Sequence, residues 1–385
     1  MISVANRLQA VEEYYFSKKL REVNALKASG KPIINLGIGS PDLMPPQRVV
    51  EAITNSFSDA SAHMYQSYQG LPELREAMGQ FYKTQFNVDL NPASEILPLM
   101  GSKEGIMHIS MAFLNPGDEV LIPNPGYPTY ASVTSLVEAK AVTYNLSEAN
   151  NWLPDLDALE QTDLSKVKLM WVNYPHMPTG ANATKSMYQE LVAFAKRHKI
   201  LIVNDNPYSF VLNDTPKSIL SVSGAKEVCI ELNSLSKTFN MAGWRVGMVL
   251  GSAEHINAVL KVKSNMDSGM FYGIQKGAIE ALKSTDVWFT SLNNVYKKRR
   301  ELVWELADNL GCTYDKATSG MFVWCKLPSG VEAEAFIDEI LYEKSIFITP
   351  GIIFGSQGAG YIRFSLCASE QSLEEAISRI QSVTN

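Results

Sequence analysis

Apolar and β-branched residues gather in short runs through the middle of the chain, and amphipathic stretches separate them. The runs at 96–100, 119–122, 141–144, 168–173, 200–205, 228–232 and 246–250 predict strands. Between two of them, residues 184–198 set Leu191, Phe194 and Ala195 on one face of a helix. Apolar strands separated by helices predict a mostly parallel sheet covered on both faces.

Past residue 284 the pattern changes. A long helix is expected near 287–310, followed by strand runs at 318–327, 346–349 and 361–366. The expected fold class is therefore α/β: a large domain with a mostly parallel mixed sheet covered by helices, plus a smaller α+β domain. The expected boundaries are 46–284 for the large domain, and 1–45 with 285–385 for the small domain and an N-terminal arm. Pro41, Pro45 and Pro46 mark an irregular crossing between them.

Composition narrows the function. A chain of 385 residues suits two domains, and 46% hydrophobic with 19% charged residues is an ordinary globular balance. Net charge is −6 and the pI about 5.5, so nothing overall attracts a polyanion and no nucleic-acid partner is expected. Cys229, Cys312, Cys325 and Cys367 form no C-x-x-C, and the five histidines form no H-E-x-x-H. Neither a disulfide scaffold nor a zinc site is expected, and free thiols fit a reducing cytoplasm. The first twenty residues have mixed charges and no long apolar core, so they do not read as a signal peptide. No apolar run approaches the ~20 residues of a membrane helix, and no membrane partner is expected.

Candidate chemistry gathers at strand ends. Lys237, in Ser234-Leu-Ser-Lys237, follows the run 228–232. Desolvation there yields a neutral amine able to attack a carbonyl. Asp205 ends the run 200–205, where parallel sheets bind ligands. A carboxylate in that place can keep a ring nitrogen protonated, which pyridoxal phosphate needs to act as an electron sink. Tyr208, three residues on, offers a hydroxyl to such a ring. Arg245, eight residues after Lys237 in Gly243-Trp-Arg245-Val-Gly247, suits a phosphate, and Ser234 and Ser236 add hydroxyls. Gly101-Ser-Lys-Glu-Gly105 opens a helix, whose first amides form an anion site. Tyr127 sits in a proline-rich loop and can stack on a flat heterocycle. Arg363 alternates inside a strand pattern and suits a carboxylate. Taken singly, each also reads as an ordinary loop, turn or core residue; their joint order and spacing is the specific signal.

That order resembles the fold-type I aminotransferases of classes I and II, from Asn35-Leu-Gly-Ile-Gly-Ser-Pro-Asp42 to Gly360-Tyr-Ile-Arg-Phe-Ser365. The S-x-S-K block with its arginine, the preceding D-x-x-Y and the late strand arginine carry the resemblance. It implies pyridoxal 5'-phosphate as cofactor and an amino group moved between an L-amino acid and a 2-oxo acid. It implies that Lys237 joins the cofactor covalently and then shuttles a proton, that Asp205 pairs with the ring nitrogen, and that Tyr208 donates to the phenolic oxygen. Tyr127 would stack on the ring, and Asn173 would also contact the cofactor. Ser102, Lys103, Ser234, Ser236 and Arg245 would hold the phosphate. Arg363 and the backbone near Gly39 would bind the substrate carboxylate. Tyr65 would reach the phosphate across the interface of a homodimer with shared sites. Gly101-Ser-Lys-Glu-Gly105 and Lys263-Ser-Asn-Met-Asp-Ser-Gly269 look most like the LL-diaminopimelate aminotransferase branch.

One position departs from the pattern. The family has N-P-T-G where this chain has Met177-Pro-Thr-Gly180, and methionine cannot donate to the phenolic oxygen. Asn173 and His176 are the candidates for that donor. Two other functions remain compatible with the motifs: a carbon–sulfur or other lyase on the same fold, and a non-catalytic ligand sensor.

Overall fold

The structure, a computed structural model, describes residues 2–10, 13 and 15–382. Positions 1, 11, 12 and 14 of the N-terminal stretch read above lie outside it. Among the described residues, seven strands form the main sheet. Their spatial order is Ile96–Leu99, Gly247–Leu250, Cys229–Ser234, Leu201–Asp205, Val167–Val172, Glu119–Asn124 and Lys140–Asn145. Gly247–Leu250 runs antiparallel to both neighbours, and the other pairings are parallel.

The central strands are covered on both faces, which is why they read as continuous runs rather than alternations. All of Cys229–Ser234 is buried, including Glu231. That carboxylate accepts from Tyr82 Oη at 2.8 Å, Asn204 Nδ2 at 2.9 Å and the Ile219 amide at 3.0 Å, which offsets its burial. The edge strand Lys140–Asn145 buries Tyr144 alone. The helix Lys185–His198 is started by Thr184, whose hydroxyl accepts from the Met187 amide. It ends at Lys199, in the left-handed region at φ 55°, with Lys196, Arg197 and His198 at the negative end of its dipole.

The second sheet holds Thr349–Pro350, Tyr361–Ser365, Phe322–Lys326 and Thr313–Tyr314, all antiparallel. The single strand expected at 346–349 is split between two sheets. Ile346–Phe347 pairs in parallel with Ile34–Asn35, while Thr349–Pro350 pairs with Tyr361–Ser365. The N-terminal segment causes the split. Leu36 donates its amide to the Phe347 carbonyl at 2.8 Å and accepts from the Ser365 amide at 2.7 Å.

The helix Asp286–Asn309 buries Phe289, Leu292, Tyr296, Arg299, Val303 and Leu306, a stripe at three- and four-residue spacing. Phe289 packs into the core of the main sheet, and Leu292 onward into that of the second sheet. Arg299 grips Asp42 with two hydrogen bonds, at 2.7 and 2.9 Å. That contact and the Leu36 bonds bring Gly39 to the edge where the parallel strands end. No helix among the described residues is long and apolar enough to cross a membrane.

Candidate active site

A cavity of about 380 Å³ lies at the carboxyl ends of the parallel strands. One end is built for an anion. The 12-residue helix Ser102–Phe113 starts there, with its first amides unpaired within the helix. Gly101, at φ 89°, precedes it, and a Cβ on that residue would run into Arg245 Nη2. Arg245 is itself left-handed, at φ 56°, and its Nη1 donates to the Ala242 carbonyl at 2.8 Å. Ser234 and Ser236 face the same space, and the Ser234 hydroxyl accepts from the Ser236 amide at 3.1 Å. Ser102 and Lys103 complete this end.

Lys237 stands in the short helix after the strand Cys229–Ser234. Its Nζ donates to the Gly39 carbonyl at 2.5 Å. Burial lowers its pKa to about 8, so a far larger share is neutral near physiological pH than for an ordinary lysine. Gly39 is required where it sits, because a Cβ would run into the Phe322 ring.

Asp205 is 5% exposed, and burial raises its pKa to about 6. Oδ2 accepts from Tyr130 Oη at 2.9 Å. Oδ1 is buried and has no hydrogen-bond partner among the described residues. Tyr130, stacked on Trp171 with centroids 4.8 Å apart, was not singled out from sequence. Its signal was available: it lies three residues after Tyr127, at the start of the helix Thr129–Leu136.

Tyr127 and Tyr208 line the cavity. Tyr127 meets Tyr130 edge-on at 5.6 Å, and Tyr208 meets Phe322 at 5.9 Å. Asn173 also lines it; its Nδ2 donates to the Asp205 carbonyl at 2.5 Å, and its Oδ1 accepts from the Met177 amide at 2.8 Å. His176 is not part of the lining. Its Nδ1 is 2.8 Å from the Thr179 hydroxyl, and burial pushes its pKa down to about 3. Of the two candidates for the donor missing at position 177, Asn173 alone reaches the cavity.

Arg363 is buried, with its guanidinium carbon 3.9 Å from the Phe322 centroid and 4.7 Å from that of Phe354. Nη2 donates to the Gly37 carbonyl at 2.8 Å, and Nη1 lies 3.2 Å from Met177 Sδ. Neither phenyl ring nor the sulfur contact was foreseen. Tyr65 lies outside the cavity of its own chain and is 91% exposed.

These groups fit pyridoxal phosphate. The helix start with Arg245 suits its phosphate, Lys237 its aldehyde, and the partnerless Asp205 Oδ1 its protonated ring nitrogen. Fold and cavity together define an α/β enzyme that works through this cofactor. Residues 31–380 match the family described as aminotransferase class I and II. The chain is 39% identical to the LL-diaminopimelate aminotransferase of Dehalococcoides mccartyi over 381 residues, covering 98% of each. It is also 39% identical to that of Aquifex aeolicus over 385 residues, covering all of both. Apo-BacF of Bacillus subtilis superposes with a TM-score of 0.95 at 37% identity, over 99% of this chain and 98% of that one. A mutant aspartate aminotransferase of Thermus thermophilus superposes at 0.91 with 25% identity, over 98% and 99%. The chain belongs to the class I and II aminotransferases. It is a pyridoxal-phosphate-dependent enzyme that transfers amino groups between amino acids and 2-oxo acids.

Proposed function

We propose that Lys237 carries the cofactor and that LL-diaminopimelate is the amino donor. One observation supports the first part above all: the lowered Lys237 amine, the open Asp205 Oδ1 and the Arg363 guanidinium all face a single cavity. Relatives bearing that donor's name, 38–40% identical over nearly the whole chain, support the second.

Pyridoxal phosphate, when bound, supplies an electron sink for the pair left at the substrate α-carbon. Arg363 binds the substrate carboxylate from between its two phenyl walls, where little water weakens the attraction. With the cofactor bound, Lys237 Nζ would be placed to take the proton from the substrate α-carbon and hold it for return. Asp205 keeps the ring nitrogen protonated, and Tyr130 fixes the carboxylate for that bond. Tyr208 donates its hydroxyl to the ring oxygen, Tyr127 covers the ring face, and Asn173 holds the loop beside it. Ser102, Lys103, Ser234, Ser236 and Arg245 hold the phosphate.

The partner is a second copy of this chain. Phe57, Met64, Tyr65, Tyr68, Met266 and Phe271 are all 40% exposed or more. Phe57 and Phe271 meet at a tilt, centroids 5.9 Å apart, and Gly269 abuts the Gln66 carbonyl, which brings these exposed loops together. Pairing would cover it and let Tyr65 reach the neighbouring cavity. The free thiols fit a cytoplasmic enzyme. The working division is 46–284 against 1–45 with 285–385.

A screen of amino donors tests the reading through the cofactor's visible absorbance. LL-diaminopimelate should convert it fastest, and 2-oxoglutarate should restore it. Release of ammonia with no aminated acceptor would identify a lyase instead. Preference for another amino acid would overturn the donor but not the transfer.

A further inference from the structure

Met177 stands where the family pattern has an asparagine, and its sulfur does not simply fill space. The thioether lies 3.2 Å from Arg363 Nη1 and is 6% exposed. The Phe322 and Phe354 centroids lie 3.9 and 4.7 Å from the guanidinium carbon. Ring contacts of this kind do not set which N–H points where. The polar contacts that bear on it include the Gly37 carbonyl at Nη2 and the Met177 sulfur at Nη1.

The backbone that carries the sulfur is itself held in place. The Met177 amide donates to Asn173 Oδ1 at 2.8 Å, and Asn173 Nδ2 donates to the Asp205 carbonyl at 2.5 Å. A continuous chain of contacts therefore runs from Arg363 through Met177 and Asn173 to the backbone of Asp205. A thioether is a weak acceptor. It still gives Nη1 a fixed direction, and an amide oxygen in the same place would do the same.

We propose that Met177 is the positioning residue for Arg363, turning the guanidinium edge toward the incoming substrate carboxylate. The proposal rests on Arg363 as the carboxylate-binding group. Bidentate recognition needs two parallel N–H groups aimed together, so loss of one anchor weakens binding before any bond is broken.

Met177→Leu keeps the volume and removes the acceptor. The probe is butyrate, a carboxylate with no amino group to react, titrated into the loaded enzyme by calorimetry. Ordering one side chain commonly costs enough to change affinity by about 2- to 10-fold, and Met177→Leu should raise the butyrate Kd by that factor. The KM for the amino donor should rise in step, with kcat within about twofold, since the interaction is made equally before and during the chemistry. Met177→Gln, which restores an acceptor on a chain of similar length, should recover most of the loss. An unchanged Kd in Met177→Leu would overturn the proposal. So would a folded Met177→Gln enzyme no better than Met177→Leu, because size rather than the acceptor would then matter. Arg363→Gln separates the two readings: wild-type butyrate affinity there would overturn the carboxylate assignment and the proposal with it.

Discussion

Replacing Asp205 with asparagine should stabilise the cofactor-free protein, and do so only where the carboxylate is charged. Burial raises this pKa from 3.8 to about 6, a shift equivalent to about 3 kcal/mol against the ionised form. The sign follows from linkage. A group protonated more readily when folded loses nothing below the unfolded pKa, and its cost builds up as pH rises to the folded pKa. Asp205 therefore costs the cofactor-free protein almost nothing below pH 3, about 2 kcal/mol at pH 5, and about 3 kcal/mol at pH 8. Asparagine keeps an oxygen for Tyr130 but brings an amide nitrogen that needs a partner, a penalty of about 1–3 kcal/mol that does not vary with pH. The gain itself depends on that penalty, but its change between pH 5 and pH 8 does not: about 1 kcal/mol in favour of Asp205→Asn. Equilibrium urea unfolding of both cofactor-free proteins at the two pH values measures it. A gap independent of pH, or one that shrinks as pH rises, would refute the reasoning. Saturating pyridoxal phosphate should reverse the ranking, because the protonated ring nitrogen then pairs with the carboxylate.

Other residues give independent tests. Tyr130→Phe strips the partner from Asp205 Oδ2 and should cost the cofactor-free protein about 1–3 kcal/mol at pH 8, less below pH 6, by the same unfolding assay. Gly101→Ala forces a side chain to φ 89° and into Arg245, a strain of about 1–3 kcal/mol. It should raise the pyridoxal phosphate Kd at least tenfold, read by absorbance titration; unchanged affinity would remove Arg245 from the phosphate site. Because the lowered Lys237 must be neutral to react, the rate of cofactor capture should rise with pH around a midpoint near 8. A midpoint above 10 in stopped-flow loading would show an ordinary, exposed lysine.

The strands of the main sheet were legible because the central ones are covered on both faces and so spell continuous apolar runs. Lys237, Asp205 and Arg245 share one cavity because they stand beside strand ends, where sequence position and spatial position coincide. Relations between distant segments were not legible. The run 346–349 looks like one strand, yet residues 34–36 draw part of it into another sheet. Nothing in the sequence marks Phe322 as a neighbour of Arg363; that contact depends on the register of Phe322–Lys326 against Tyr361–Ser365. Tyr130 carries no mark in the sequence of its bond to Asp205, which spans 75 positions. Met177 was legible as a missing donor, but not as the neighbour of Arg363.

The central claim is that Lys237 bonds the cofactor. Borohydride reduction of the loaded enzyme, followed by proteolysis and mass spectrometry, tests it most directly. The pyridoxyl mass should fall on the peptide containing Lys237, and Lys237→Ala should lose both the adduct and nearly all transfer while remaining folded. A pyridoxyl group on any other lysine, or transfer at the wild-type rate by Lys237→Ala, would contradict the account.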